Sequence, residues 1–195
     1  MIEQMRHLRS DAFRIVNGRW WRFLNLPFSQ SFAMVALYRL ERGCYLHFGA
    51  RWRGLRIGLQ PLFALIRPWA GSEINYQAEI GPGLAILHPS LGVVVTSHTT
   101  AGERLTLVGG NVIGTRSSVD GSPGRVIIGN HVELGAHSCV LGPANLGSRA
   151  TVGAHAVVLG DVDEGATVVG APARPVRSQT PGENKPARPH PCSTM

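Results

Sequence analysis

Residues 128–158 read IGNHVELGAHSCVLGPANLGSRATVGAHAVV, and a single spacing runs through the whole stretch. Every sixth position is aliphatic, and four of these positions are followed directly by glycine. The aliphatic positions are Ile128, Leu134, Val140, Leu146, Val152 and Val158. A six-residue step matches neither the 3.6-residue period of an α-helix nor the two-residue period of a long strand. This comb instead predicts a prism of short parallel strands, in which each face turns one aliphatic side chain inward.

The same six-residue step recurs upstream of this stretch, over residues 74–86 and 95–113, with two breaks in phase. The break between the second run and Ile128 contains residues 115–124, which are polar and rich in turn-forming residues. Because of this composition, we expect the segment to form a loop extruded from the prism. Such a loop can reach a neighbouring subunit or close a cleft.

The comb divides the chain into three parts. We predict a mainly β fold, with a parallel β-helix over residues 73–177 and an α-helical region over residues 1–72. Residues 178–195 are rich in Pro, Ser, Thr and charge, and we expect them to form a disordered tail.

The positive charge of the chain is confined to its first third. The chain has 195 residues and a formal net charge of +7, and eleven of its arginines lie in residues 1–72 against three acidic residues. A content of 44% hydrophobic and 16% charged residues excludes a wholly disordered chain. No helix-turn-helix, zinc or base-stacking motif accompanies the arginines, so we expect no nucleic-acid partner.

The basic region is predicted to contain a helix that begins at Ser29 and ends at Gly49. Its expected apolar face comprises Ala33, Leu37, Leu40, Cys44 and Phe48. Ahead of it, residues 14–24 interleave arginine with Trp20 and Trp21, a pattern that fits either packing against the main domain or a neighbouring subunit, or contact with an anionic membrane. No apolar run is long enough to span a bilayer and no export signal is evident, so we expect a cytoplasmic protein, with the inner membrane face as a candidate location.

Cysteine and histidine give no metal or disulfide pattern. Cys44, Cys139 and Cys192 are scattered with no CxxC spacing, which predicts idle thiols in a reducing compartment. Three histidines follow glycines of the comb, and we interpret them as solvated corner residues: His131, His137 and His155. We therefore expect no metal cofactor.

Three stretches resemble a known family: AILHPSLGVVV at 85–95, IGNHVELGA at 128–136 and VVGAPAR at 168–174. The repeat resembles that of the left-handed β-helix acyltransferases, and residues 73–176 are most similar to the serine-acetyltransferase branch. The resemblance implies a left-handed β-helix, a homotrimer, and transfer of acetyl from acetyl-CoA to a hydroxyl group.

The resemblance also points to a catalytic pair. His88 matches the family's general base, and Glu73 stands fifteen residues upstream, where serine acetyltransferases have an aspartate partner. A histidine suits proton transfer because its pKa lies near the working pH, and a carboxylate can hold its tautomer. Since fifteen residues is close to one eighteen-residue coil, we expect the two side chains to meet across adjacent coils.

The family's CoA groove lies between adjacent β-helices of the trimer. Ala136 and Ala154 match the small residues that admit the pantetheine arm, and Gly114 precedes the extruded loop near the expected thioester. Arg174 is a candidate for contacting the nucleotide phosphates.

The match fails where serine acetyltransferases hold their amino acid. They carry His-Pro near the first coil and Arg-His-Pro after the extruded loop, whereas this chain has Asn75-Tyr76 and Gly124-Arg125-Val126. Asn75 and Arg125 are therefore the candidate acceptor-binding residues. The pattern is more similar to colanic-acid-type O-acetyltransferases, which predicts a sugar acceptor in a surface polysaccharide or its lipid-linked precursor. The alternatives are L-serine as the acceptor and a non-catalytic β-helix scaffold.

Overall fold

The structure is a computed structural model of the full chain, and it describes residues 2–16, 24, 26–61, 72–116 and 124–176. Helices occupy the first third: α1 (Ile2–Val16), α2 (Gln30–Phe48) and α3 (Arg51–Gly58), with a short 3-10 helix at Leu26–Phe28 before α2. The predicted Trp20–Trp21 motif, most of the extruded loop and the tail from residue 178 lie outside the described residues.

Fifteen short strands follow in the part of the chain that the structure describes. They are β1 (Glu73–Ile74), β2 (Glu79–Ile80), β3 (Ala85–Ile86), β4 (Val93–Val95), β5 (Thr99–Ala101), β6 (Thr106–Leu107), β7 (Asn111–Thr115), β8 (Val126–Ile128), β9 (Glu133–Leu134), β10 (Cys139–Gly142), β11 (Ala144–Leu146), β12 (Thr151–Val152), β13 (Val157–Val158), β14 (Thr167–Val169) and β15 (Arg174–Pro175). A second 3-10 turn, Pro89–Leu91, lies between β3 and β4.

The strands form three sheets because consecutive strands go to different sheets in turn. Sheet A has the order β1-β4-β7-β10-β13, sheet B the order β11-β8-β5-β2, and sheet C the order β15-β14-β12-β9-β6-β3. All pairings are parallel except β14 with β15, where the chain turns back antiparallel at the end of the prism. The chain therefore winds around a three-sided prism, the β-helix that the comb predicts.

The aliphatic comb forms the interior of this prism. Each of the six aliphatic residues between 128 and 158 is at most 2% exposed. In sheet A, Val140 pairs with Ile113 on one side and Val158 on the other, so the comb residues of successive coils stack directly. Burying one such side chain contributes roughly 1.5–3 kcal/mol, and the stack repeats that gain from coil to coil.

The glycines of the comb allow a close approach of neighbouring coils, and they do not adopt an unusual backbone angle. A Cβ added to Gly129 would lie 2.6 Å from the Ser148 backbone nitrogen of the next coil, and one on Gly135 would lie 2.6 Å from the Ala154 nitrogen. Neither glycine has a positive φ. The left-handed conformation falls two residues later, as at His131, with φ of 59°.

Helix α2 begins and ends as predicted, but its buried side differs in part. Ser29 accepts a hydrogen bond from the Phe32 amide, and Gly49 has a φ of 57° at the C-terminus. The predicted apolar face is correct only in part: Leu37 and Cys44 pack against the cluster of Trp52 and Tyr76, whereas Leu40 and Phe48 are 56% and 44% exposed. The fully buried positions are Ser31, Met34, Val35, Tyr38, Arg39, Glu41, Arg42 and Gly43. Three of these apolar side chains belong to the same core as the prism: Met34, Val35 and Tyr38.

A buried ion pair joins the helices to the first coil. Asp11 and Arg39 are 0% and 1% exposed, and the Arg39 Nε donates to an Asp11 oxygen over 2.8 Å. The same carboxylate accepts the amides of Gly83 and Leu84 at 2.7 and 2.8 Å. Arg39 also donates to the carbonyls of Ile80 and Gly81, both at 2.6 Å. The pair thus satisfies backbone groups at the end of the prism where no further coil is stacked.

Other arginines of the basic region also act inside the fold. Arg42 donates to the Gln77 carbonyl at 2.9 Å and to the Glu79 carboxylate at 3.0 Å, and Arg56 pairs with the buried Glu41 carboxylate at 3.1 Å. Part of the charge that suggests an external partner is therefore used to attach the helices to the β-helix.

Candidate active site

His88 lies at a corner of the prism, between sheets C and A. It follows β3 and directly precedes the 3-10 turn, so the chain changes direction at this residue. Its amide donates to the Val108 carbonyl at 2.8 Å, and its own carbonyl accepts from Leu91 at 3.1 Å. The side chain is exposed, and no hydrogen bond to it is found among the described residues. The backbone of His88 is therefore held in place while its imidazole ring is accessible, as a general base that removes a proton from an acceptor requires.

Glycine in the next coil allows this corner to close. A Cβ added at Gly109, where φ is 138°, would lie 2.5 Å from the His88 carbonyl oxygen and 3.2 Å from the His88 Cβ. A larger residue at this position would displace the backbone that carries His88.

Glu73 and Asn75 line one cavity of about 460 Å³ beside this corner. Glu73 projects from the outer side of sheet A, where it pairs with Val94 of β4. The walls come from α2, α3 and the first coils of sheet A. Besides Glu73 and Asn75 they include Met34, Leu37, Tyr38, Glu41, Arg56, Ser72, Leu91, Gly92, Gly110, Asn111 and Val112.

The predicted contact between His88 and Glu73 is not present. Within the described residues, neither a hydrogen bond nor an ion pair joins the two side chains. The first coil is longer than expected, because Glu73 pairs with a residue 21 positions later, whereas Cys139 pairs with one 18 positions later. The residue that pairs with Glu73 in the next coil is Val94, and His88 lies before it, at the corner. The catalytic pair of His88 and Glu73 therefore stays a prediction.

The two acceptor candidates occupy different places. The Asn75 side-chain oxygen accepts the Gln77 amide at 2.9 Å, and Asn75 lines the cavity. Arg125 is exposed and lies just before β8 of sheet B, across the base of the extruded loop. One protomer therefore brings Asn75, but not Arg125, to the Glu73 cavity.

Two of the four candidate CoA residues, Ala136 and Ala154, lie at the same corner as His88 in later coils. The His155 amide donates to the Ala136 carbonyl at 2.9 Å, which places Ala136 and Ala154 in adjacent coils at one corner. Gly114 lies on β7 of sheet A, opposite Leu141. Arg174 is exposed on β15 at the far end of the prism. Along the prism, the candidate base His88 therefore comes first, Ala136 and Ala154 follow, and Arg174 lies at the far end.

Two histidines of adjacent coils stack at this corner, a contact that no pattern in the sequence predicts. The rings of His137 and His155 stack with centroids 5.1 Å apart and an interplanar angle of 19°. A Cβ at Gly110 would lie 2.2 Å from the His137 Nδ1, so this ring covers Gly110 beside the His88 corner. Both histidines are exposed at the corner, as the sequence predicts, and the stacking of their rings is the feature that the sequence does not show.

The remaining titratable groups do not form a second reactive centre in the described ranges. No group of three His, Cys, Asp or Glu side chains there could hold a metal ion. Burial raises the pKa of the Cys139 thiol, and burial followed by the Glu41 charge raises the pKa of the Cys44 thiol. A raised pKa leaves less thiolate at neutral pH, which disfavours thiol nucleophilicity.

Comparison with known proteins supports an acetyltransferase site. No family model matches the chain. The chain is 37% identical over 149 residues to a colanic acid biosynthesis acetyltransferase, WcaB, of Escherichia coli (strain K12), covering 72% of this chain and 87% of that protein. It is 38% identical over 115 residues to a serine acetyltransferase of Helicobacter pylori (strain J99), covering 59% of this chain and 66% of that protein.

Solved structures agree with the fold. The crystal structure of Neisseria gonorrhoeae serine acetyltransferase matches with a TM-score of 0.75 and 26% identity, over 90% of this chain and 68% of that chain. This similarity confirms the predicted left-handed β-helix with helices ahead of it.

Proposed function

The chain belongs to the hexapeptide-repeat acyltransferases, in the branch of the serine acetyltransferases, and is an acetyltransferase; from this premise we propose that its acceptor is a sugar hydroxyl. The donor is acetyl-CoA, and the sugar belongs to a surface polysaccharide or its lipid-linked precursor. The similarity to a protein named for colanic acid biosynthesis supports this acceptor class.

The charge of the Glu73 cavity is the observation that carries the proposal. Among its described lining residues, the cation is Arg56, and its guanidinium already pairs with Glu41. A serine zwitterion needs a cation for its carboxylate, and a buried charge left without a partner costs several kcal/mol. A neutral sugar needs only hydrogen-bonding groups, which Asn75 and Glu73 supply.

The mechanism is a direct attack of the acceptor hydroxyl. His88 takes the proton of that hydroxyl, and its exposed ring at the corner gives the acceptor access. Glu73 orients His88 once the acceptor fills the cavity, and backbone amides of the corner hold the developing oxyanion. The acetyl group passes from acetyl-CoA to the acceptor oxygen, the carbon–sulfur bond of the thioester breaks, and CoA leaves as a thiol with the proton that His88 took up.

The corner in later coils fits the donor. Ala136 and Ala154 have small side chains, and their amides have no backbone partner among the described residues. Such amides can donate to the carbonyls of a pantetheine arm, and Arg174 at the far end can contact phosphate.

The acceptor class can be tested by following CoA release with the purified full chain. We expect release with an extracted polysaccharide repeat unit and little with L-serine. In a site built to hydrogen-bond its substrate, loss of one such partner lowers kcat/KM by about 10⁴-fold or more. The rates with the two acceptors should therefore differ clearly. Serine turnover at a rate equal to or above that of the sugar would overturn the proposal.

We also propose a homotrimer that buries the outer face of sheet A. The outward side chains of this sheet beyond Glu73 are Val94, Val112, Cys139, Leu141, Val157 and Leu159. The corresponding column of sheet B holds Glu79, Thr100, Ile127 and Asn145, and that of sheet C includes Thr106, Glu133 and Thr151. An apolar face of this kind marks an interface, and a second copy would also wall the cavity.

We expect Val112→Lys to dissociate the trimer, because it places a charge at the centre of the apolar face. The dissociation constant should rise about 30- to 140-fold, as a loss of about two to three kcal/mol predicts. Sedimentation velocity measures the change. Ile127→Lys is the matched control, since Ile127 projects from sheet B and is 48% exposed. Dissociation by the control and not by Val112→Lys would show that another face forms the interface.

Membrane attachment at the cytoplasmic side is proposed through α3. No helix among the described residues is long and apolar enough to cross a bilayer. Arg51 and Arg53 of α3 are exposed, together with Leu55 at 51% and Ile57 at 71% exposure. Exposed arginines beside aliphatic side chains suit an anionic lipid surface.

Charge reversal of α3 tests this attachment. We expect Arg51→Glu with Arg53→Glu to weaken binding to phosphatidylglycerol vesicles more than tenfold, since each arginine contributes about 1 kcal/mol. Arg149→Glu on the β-helix is the control. Deleting the N-terminal residues would be a poor test, because Asp11 holds the first coil. Equal vesicle binding by all three proteins would exclude attachment through α3.

A further inference from the structure

A second cavity lies on the other side of the His88 corner, against sheet C. Its volume is about 590 Å³, and its walls come from the end of α1, the start of α2 and the first two coils. Leu87 and Pro89, the two neighbours of His88 in sequence, both line it. A molecule held in this cavity therefore lies beside the candidate base.

Two arginine side chains line this cavity near Gly83. Arg14 donates to the Gly83 carbonyl, to the Leu105 carbonyl at 3.1 Å and to the Thr106 hydroxyl at 2.5 Å. Arg104 lies over the same glycine, since a Cβ at Gly83 would be 3.1 Å from the Arg104 Cγ.

Arg14 and Arg104 form no ion pair among the described residues, although the charges of Asp11 and Glu133 act on Arg14 from nearby and raise its pKa. No Asp or Glu lines the cavity in the described part of the chain. Asp11, the nearest acid on α1, is already held by Arg39 and two amides. Burial and then the nearby Arg104 charge outweigh these acids and lower the pKa of Arg14. Two like charges beside a cavity are unfavourable until an anion lies between them.

The other polar groups of the cavity can donate hydrogen bonds. Thr106 accepts from Arg14, which leaves its hydroxyl hydrogen to donate. Ser29 likewise accepts from the Phe32 amide and keeps its hydroxyl hydrogen. These hydroxyls, the Arg104 guanidinium and the N–H groups of Arg14 beyond its three bonds to the protein match the oxygens of a phosphate.

We propose that the cavity around Arg14 and Arg104 binds the phosphate of a phosphorylated sugar acceptor, and so presents that sugar to His88. The inference rests on the proposed sugar acetyltransferase function and narrows its substrate class to glycosyl phosphates or diphosphates. A neutral polysaccharide chain without phosphate would leave the cavity unused.

Direct binding tests the cavity without knowledge of the sugar. With the full chain, isothermal titration of inorganic pyrophosphate should show binding that Arg104→Gln weakens about tenfold or more, since hydrogen bonds to charged groups are among the strongest. Arg149→Gln is the matched control, because Arg104 and Arg149 share the left-handed backbone conformation with φ of 58° and 62°. Equal pyrophosphate affinity in the wild type and in Arg104→Gln would overturn the inference.

Kinetics separate this inference from the function on which it rests. We expect Arg104→Gln to raise KM for a glycosyl-diphosphate acceptor about tenfold and to leave KM for acetyl-CoA unchanged. A raised KM for acetyl-CoA would assign the cavity to the donor and overturn the inference. Sugar acetylation that is insensitive both to acceptor phosphate and to Arg104→Gln would do the same while upholding the function. Intact pyrophosphate binding without acetylation of any sugar would instead refute the proposed function.

Discussion

His88→Ala is expected to lower kcat/KM for acetyl transfer by about 10²–10⁴-fold, the range that a positioned general base contributes. The acceptor hydroxyl is a weak nucleophile until its proton is removed. His88 stands at the corner between the two cavities with its ring exposed. The loss should fall on kcat, because the imidazole acts on the reacting proton, while the dissociation constant for CoA should stay the same. Single-turnover kinetics and CoA titration measure the two quantities separately.

His98→Ala is the control for this experiment, since His98 is an exposed histidine whose described partner is its neighbour Ser97. Adding Glu73→Gln to His88→Ala should cost little more than His88→Ala alone, because residues that act as a unit are not additive. Turnover by His88→Ala near the wild-type rate would remove His88 from the mechanism. Fully additive losses would mean that Glu73 acts independently of His88.

The repeat made the β-helix predictable from sequence because its signal is local and repeated. Each aliphatic residue of the six-residue comb from Ile128 to Val158 predicts an inward-facing position, and every one is buried in the prism. The reason for the glycines is less visible in the sequence. Gly129 is needed because the Ser148 backbone comes close, and that contact lies between coils.

The helical region was harder to interpret, because its charges are satisfied by distant backbone groups. Arg39 pairs with Asp11 and caps carbonyls some forty positions further along the chain. A periodicity argument assigns arginine to the solvent face, so it misses the buried positions Arg39 and Arg42 of α2. Part of the positive charge that suggests a membrane or nucleic-acid partner therefore holds the helices against the β-helix.

Sequence similarity offers candidate residues for the site, but it does not give their geometry. Similarity of motif identified His88 and Glu73, and both border the corner of the first coils. Their separation depends on the coil length, and the 3-10 turn Pro89–Leu91 lengthens that coil. The Arg14–Arg104 cavity could not be predicted, because α1 and the second coil meet only in the folded chain.

Asp11→Ala is expected to destabilise the folded chain by about 3–5 kcal/mol, the usual cost of removing one partner of a buried ion pair. Arg39 would keep a charge that is 1% exposed and has no carboxylate partner. The amides of Gly83 and Leu84 would also lose their acceptor. For a chain of this size, that loss lowers Tm by roughly 10 °C, which differential scanning calorimetry detects.

An exposed pair on the same protein gives the control. Glu164→Ala removes the partner of Arg149, where the two side chains are 60% and 70% exposed, and should cost no more than about 1 kcal/mol. Adding Arg39→Met to Asp11→Ala should recover part of the lost stability, because it removes the unpaired charge. If Asp11→Ala does not fold, Asp11→Asn should give an intermediate loss, since its amide oxygen can still accept from Gly83. A Tm unchanged in Asp11→Ala would mean that the helices are held to the first coil by apolar packing alone.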